Sequence, residues 1–186
     1  MAGTPRQRAA YHALRRLGIW LTLGAFQPVL VGTIPLGIDI ATSDLDVICA
    51  VHPDQLPQFE RLLRQHYGRL PGFQLARATG RTQDSLVSNF RFGGFEIEVF
   101  GQDLPTDQQN AFRHLVVEQA LLQAGGAAWR QAVRGLKQRG LKTEPAFAQL
   151  LGLTGNPYEA LLTLENHTPA ELAARLAGLP LPSSLF

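Results

Sequence analysis

The segment from Gly32 to Val47, GTIPLGIDIATSDLDV, constrains this chain more than any other. An apolar run ends in a glycine, a short loop follows, and two aspartates, Asp44 and Asp46, stand one residue apart on a second apolar run. Residues i and i+2 of a strand point to the same face, so both carboxylates project together while Leu45, Val47 and Ile48 support the strand from the core. Like charges that close raise one pKa strongly unless a cation neutralises them. Paired hard oxygen ligands suit Mg²⁺ or Mn²⁺; Mg²⁺ binds one or two carboxylates at roughly 2.0 to 2.1 Å and leaves its other positions to water and phosphate oxygens. The pattern points to phosphate chemistry.

The arrangement resembles the signature of the nucleotidyltransferase superfamily with the DNA polymerase β-like fold, a Gly-Ser loop followed by an Asp-x-Asp strand. Gly32 and Thr33 fall on the Gly-Ser pair, Gly37 on the second glycine, and Ser43-Asp44-Leu45-Asp46 on the Ser-Asp-x-Asp segment. Two departures stand out. Thr33 replaces the usual serine and keeps a hydroxyl, whereas Pro35 and Leu36 occupy places where minimal members often carry an arginine, which weakens the usual triphosphate grip.

The chain resembles still more closely the DUF4269 family of small bacterial proteins. The likeness rests on VGTIPLGIDIATSDLDVIC (Val31 to Cys49), FEIEVFGQ (Phe95 to Gln102), QNAFRH (Gln109 to His114) and GLKTEPAFAQLLGLTGNPYEALL (Gly140 to Leu162). It brings no assigned activity with it, so the chemistry has to be read from the site.

One domain is expected over residues 1–186, with a sheet-containing core at 1–104 and a helical extension at 105–186. At 186 residues, 45% of them hydrophobic and 17% charged, the chain is long enough for a sizeable core. The formal net charge is only +2. A basic run long enough to serve as a nucleic-acid footprint is absent; Arg6, Arg8, Arg15 and Arg16 read as the solvated face of an N-terminal helix. The lone Cys49 cannot form an internal disulfide and fits a reducing cytoplasm. No stretch approaches the roughly 18 apolar residues of a membrane span, and the N-terminus does not read as a signal peptide.

Thr4-Pro5 predicts a helix start, with a second short helix over Ile19 to Phe26. Pro28 to Val31 reads as a short buried strand, Leu45 to His52 as the strand bearing the aspartates, and Pro53 to Tyr67 as a helix with a stripe of Leu56, Phe59, Leu62, Leu63 and His66. Strands follow at Phe73 to Ala78, Ser85 to Phe92 and Phe95 to Phe100, the last two joined by a tight Gly93-Gly94 hairpin. Helices separated by glycine and proline then cover Thr106 to Gln123, Ala127 to Gln138, Glu144 to Leu151, Pro157 to Leu164 and Pro169 to Leu176. The expected class is α+β: a mixed sheet of about five strands with packed helices and a helical C-terminal section.

In the resembling superfamily a third carboxylate comes from a later strand, and Glu96 and Glu98 both qualify. Successive same-face positions lie roughly 6.5 to 7 Å apart, too far for both to ligate one ion at about 2.1 Å. An antiparallel pairing with the Asp-x-Asp strand favours Glu98 and a parallel one Glu96; antiparallel pairing is expected of a hairpin-rich sheet, so Glu98 is chosen. The metal set is thus Asp44, Asp46 and Glu98. Gly32 and Thr33 would offer backbone N–H groups and a hydroxyl to a nucleoside triphosphate. Ser43 suits a phosphate ligand or a hydrogen bonder at the start of the strand. Thr143 and Pro145 are accounted for as helix cap and first turn, but Lys142 precedes a helix N-terminus, where a cation is unfavourable without an anion nearby, and joins the triphosphate set. Arg113 and His114 either reach the nucleotide or pair locally, His114 with Glu118. Asp39 reads as a loop residue.

These residues suggest transfer of a nucleoside monophosphate from a triphosphate to a hydroxyl on an RNA end, a protein or a small molecule. One rival is a catalytically silent regulator on the same fold, binding a nucleotide or a toxin or antitoxin partner. Another is a phosphodiesterase or phosphatase using the same acids. No Cys/His metal spacing, Gly-x-Ser-x-Gly elbow or Walker loop competes.

Overall fold

Thr4 opens the first helix with a capping box. In the computed structural model, which describes residues 3–79 and 84–179, α1 spans Pro5–Leu17; the Thr4 hydroxyl accepts from the Gln7 N–H, and the Gln7 side chain accepts from the Thr4 N–H. The predicted second helix divides into α2 (Ile19–Thr22) and a 3₁₀ turn at Gly24–Phe26. Strand β1 (Val29–Val31) delivers Gly32. Where a loop is expected, a one-turn helix α3 (Thr33–Leu36) follows at once, too short to produce any periodicity.

Strand β2 (Leu45–Ala50) is shorter than expected at its end and starts one residue after Asp44. A 3₁₀ turn at Pro53–Gln55 leads into α4 (Leu56–Tyr67), which buries Leu56, Phe59, Leu63 and Tyr67. Leu62 packs against the core only in part, and His66 is exposed where the expected stripe had it buried. Strands β3 (Gln74–Thr79), β4 (Asp84–Phe92) and β5 (Phe95–Gln102) form a meander.

The five strands form one mixed sheet in the order β1-β2-β5-β4-β3. β2 pairs antiparallel with β1 and parallel with β5, while β4 is antiparallel to both β5 and β3. Leu45, Val47 and Cys49 of β2, Ile97 and Val99 of β5, and Leu86 and Phe90 of β4 share a core with α1, α2 and α4. Alternation along each strand sends Asp46, Glu98 and Asn89 to the other face. Gly101 sits where β5 passes α4; a Cβ there would lie 2.5 Å from the Phe59 ring and 2.8 Å from Val51.

The helical elements are α5 (Asn110–Gln138), α6 (Thr143–Leu151), α7 (Pro157–Leu162) and α8 (Pro169–Ala177). The two helices expected around residue 125 are joined as α5 across Gly126, whose φ 63° and ψ −149° are not helical. A second core of Leu121, Trp129, Val133, Phe147, Leu151, Leu161 and Leu172 holds these helices together, and Ile38 belongs to it. By packing, the chain divides into two compact units. The sheet unit takes in residues up to Pro35 together with Ser43–Gln109; the helical unit takes in Leu36–Thr42 and the residues from Asn110 onward.

Candidate functional site

Asp46 is the second residue of β2, and its neighbours Leu45 and Val47 are buried in the core, so its carboxylate projects from the opposite face. Glu98 stands between the buried Ile97 and Val99 of β5 in the same way. The register pairs Asp46 directly with Glu98. Neighbouring strands lie about 4.8 Å apart, so these two acids are side by side on one sheet face.

This pairing is parallel, contrary to the antiparallel expectation. Parallel pairing does not bring Glu96 to Asp46 because β5 is offset against β2: its third residue, Ile97, meets the first residue of β2, Leu45. Glu98 therefore lies beside Asp46 even in the parallel arrangement. Glu96 is exposed and held by Arg91, its cross-strand partner, at 2.6 Å. That pairing was readable in the sequence, since a two-residue Gly93-Gly94 turn sets Phe92 opposite Phe95 and Arg91 opposite Glu96. The same counting sets Asn89 opposite Glu98, a neighbour on the acid face that the sequence reading missed.

Asp44 is exposed and lies just outside the strand on which it was expected. Gly32, at φ 80°, adopts a conformation that disfavours side chains, and a Cβ there would collide with an Asp46 carboxylate oxygen. The end of β1 thus gives Asp46 its seat. The Thr33 hydroxyl donates to the Ser43 hydroxyl at 3.1 Å, and Arg6 donates to the Ser43 carbonyl at 2.9 Å, fixing the start of the acid strand against α3 and α1.

Asp46 and Glu98, with Asp44 at the strand's start, are hard oxygen donors of the kind Mg²⁺ or Mn²⁺ takes, and the missing Cβ at Gly32 leaves room for one of them. Among the described residues, however, no three His, Cys, Asp or Glu side chains converge as a ready-made ligand cluster. The donor chemistry fits a divalent ion at the Asp46–Glu98 pair, with Asp44 as the outlying member.

Lys142 belongs to the helical unit, where it is exposed and occupies the N-cap of α6 without a side-chain capping bond. Thr143, expected as the cap, is the first helical residue, and Glu144 supplies an acid in that first turn. Arg113 donates to both Glu165 oxygens, at 2.9 Å and 2.6 Å, and to Asn110. This grip holds the Glu165 carboxyl below its ordinary pKa. His114 lies 3.0 Å from the Tyr158 carbonyl oxygen and 3.7 Å from Glu144, so its carboxylate partner is Glu144 rather than the expected Glu118. Glu118 is buried, and burial, with Glu144 nearby, pushes its carboxyl pKa well up against the opposing pull of Lys137.

Cys49 is fully buried, and burial pushes its thiol up to about 12. Two more polar residues are buried where no burial was expected. Gln109 is buried and donates to the carbonyls of Cys49 and Leu104 at 3.0 and 2.9 Å, tying the end of β2 to the chain beyond β5. Asp39, read as a loop residue, is buried within the helical unit. No sequence signal singles out either one. Among the described residues no helix is long and apolar enough to cross a membrane.

Comparison with known proteins places these features in a family and a fold. The sequence model described as "Domain of unknown function (DUF4269)" matches residues 12–164. No curated protein sequence matches the chain. Among solved structures, the Cid1 poly(U) polymerase with MgGTP bound is similar at TM-score 0.54 and 12% identity over 87% of this chain and 50% of that one. A further Cid1 poly(U) polymerase structure gives TM-score 0.57 at 14% identity over 82% of this chain. A chain of the GLD-2/RNP-8 complex gives TM-score 0.54 at 13% identity, covering 94% of this chain and 77% of that one. The present chain spans about half the length of the Cid1 chains. At these identities the likeness is one of fold, shared with the Cid1 and GLD-2/RNP-8 chains.

Proposed function

The chain belongs to the DUF4269 family, and we propose that it is a nucleotidyltransferase that moves a nucleoside monophosphate from a nucleoside triphosphate to a hydroxyl acceptor. The observation that carries this reading is the direct register of Asp46 and Glu98 on one face of the sheet, with Gly32 left without a side chain against Asp46. Asp44, Asp46 and Glu98 would hold Mg²⁺ or Mn²⁺. When bound, such an ion neutralises triphosphate charge and lowers the pKa of an attacking hydroxyl.

The chain's own groups do the positioning. Gly32 lets the backbone approach the β- and γ-phosphates, and Thr33 offers an N–H and a hydroxyl to them. The Thr33 hydroxyl, which donates to Ser43, would exchange that bond for one to phosphate, and Ser43 extends the polar edge. Lys142 contributes a cation for the triphosphate. The acceptor oxygen bonds to the α-phosphorus as the bridge to the β-phosphate breaks, and pyrophosphate leaves. The acceptor is a hydroxyl of an RNA end, a protein or a small molecule.

The test is pyrophosphate release from each of the four ribonucleoside triphosphates, supplied with Mn²⁺ and a mixed RNA acceptor. The expected result is release that Asp46→Asn and Glu98→Gln each reduce at least a hundredfold. A second reading, nucleotide or partner binding without transfer, is favoured by one observation, the absence among the described residues of a convergent three-ligand cluster. It is supported instead if triphosphate binds and no pyrophosphate appears. Lys142→Ala is expected to weaken triphosphate binding more than nucleoside binding in equilibrium titrations; equal losses, or none, remove Lys142 from the site.

A further inference from the structure

The first acid of the chain is Asp39, so everything before it, including the whole of α1, carries only positive charge. The sequence alone reads the four arginines of α1 as a solvated face, but the structure gives them different work. Arg6 lies 4.9 Å from the centre of the Phe95 ring and donates to the Ser43 carbonyl, and Arg16 lies 5.6 Å from the centre of the Phe92 ring. Both are engaged in packing within the sheet unit. Arg8 and Arg15 flank Tyr11 at i−3 and i+4 on one stripe that also contains His12, whose ring meets Tyr11 edge-on at 5.5 Å. Arg8 is half-buried and donates one N–H to the Gly3 carbonyl, which leaves its remaining guanidinium N–H groups for a ligand. Arg15 in the last turn of α1 is favoured by the helix dipole, but Arg8 near the start is not.

Beside this stripe runs a groove of about 260 Å³ whose lining includes Gln7, Tyr11, Leu14, Trp20, Ile34 and Pro35. That is less than the roughly 300 Å³ at which drug-sized pockets begin, and it suits a single planar ring system. Tyr11 is 43% exposed, Trp20 37%, and the adjacent Leu21 92%, a concentration of large apolar groups on a positively charged surface. The groove's carboxamide is already used. Gln7 donates to the carbonyls of Ile34 and Pro35 at 2.9 and 3.0 Å and accepts from the Thr4 N–H. Both of its N–H donors are committed, so it has no donor left with which to read the edge of a base.

From these observations we infer that the α1 face is a binding surface for single-stranded nucleic acid, with bases stacking on Tyr11 and Trp20 and phosphates meeting Arg8 and Arg15. Flat aromatic faces beside cations, on an element free of acids, match the unpaired bases and continuous negative backbone of a single strand. With both carboxamide donors committed, binding is tolerant of sequence. The site is separate from the carboxylates, and its test uses neither metal nor triphosphate, so its result does not depend on the nucleotidyl-transfer reading.

The experiment is fluorescence anisotropy of the full chain with a labelled single-stranded RNA of mixed sequence, with the duplex of that sequence and polyglutamate as competitors. The expected result is single-strand binding that the duplex and the acidic peptide displace poorly. Tyr11→Ala and Trp20→Ala should each weaken it about tenfold, and Arg8→Gln and Arg15→Gln should each lower the slope of log affinity against log salt by about 0.7. Trp20 is partly buried and its variant can fail to fold, but Tyr11, Arg8 and Arg15 are surface positions whose variants keep the test intact, with circular dichroism as the check. Binding that all four variants leave unchanged overturns the inference. So do equal affinity for the duplex, full displacement by polyglutamate, or no binding at low salt.

Discussion

Asp46 and Gly32 form the most constrained pair in the site. Replacing Gly32 by alanine would put a methyl group into an Asp46 carboxylate oxygen and hold a side chain at φ 80°. The conformational cost alone is about 1–2 kcal/mol, and Gly32→Ala is expected to lower the midpoint of denaturant unfolding accordingly and to weaken Mn²⁺-dependent triphosphate binding. Wild-type binding in that variant would separate Gly32 from the site. Glu118 makes a different prediction. Its buried carboxyl keeps its proton more tightly when folded than when unfolded, so stability is fully present below the ordinary carboxylate pKa and is lost as pH rises from there toward the raised folded value. Glu118→Gln removes that dependence. In melts between acidic and neutral pH, the variant's stability relative to wild type should rise with pH, and a difference that stays constant would contradict the assignment. The Gly32–Asp46 spacing was legible in the sequence because glycine and the Asp-x-Asp segment are local signals. The raised pKa of Glu118 was not, because it comes first from burial in a core built by residues distant in the chain and then from Glu144.

Strand existence was equally legible, and strand direction was not. All five strands appear close to where alternation and turn residues predict them, since these are properties of a few neighbouring residues. Whether β5 enters beside β2 in parallel depends on where the β3-β4-β5 meander lands after α4, and no short stretch encodes that. The consequence for the site was limited because the offset register still brings Glu98 to Asp46. The glycine in the Phe100-Gly101-Gln102 segment illustrates a second ambiguity, for a glycine on a strand that carries a site acid can serve a ligand or packing. Here the Phe59 ring and Val51 occupy the space of its Cβ. Gly101→Ala should therefore cost about 1–3 kcal/mol by overpacking α4 against β5, read as a fall in the denaturant midpoint with an unchanged m-value. A neutral substitution would mean that the two elements are less closely packed than the structure shows.

The chain as a whole combines a sheet unit that carries the acids with a helical unit that has its own core. The order of strands and then helices predicts a sheet core at 1–104 and a helical extension at 105–186 within one domain, but it does not show that Leu36–Thr42 leaves the sheet unit for the helical one. That excursion rests on Leu36 and Ile38, two apolar residues in a segment that reads as a loop. The central claim is that the acid pair on the sheet unit binds metal and triphosphate together. Equilibrium titration of a nucleoside triphosphate into the full chain with and without Mn²⁺, for wild type, Asp46→Asn, Glu98→Gln and Glu96→Gln, tests it most directly. Metal-dependent binding is expected that Asp46→Asn and Glu98→Gln abolish and Glu96→Gln leaves intact, with all four proteins folded. Wild-type affinity in Glu98→Gln, or binding indifferent to Mn²⁺, would contradict it.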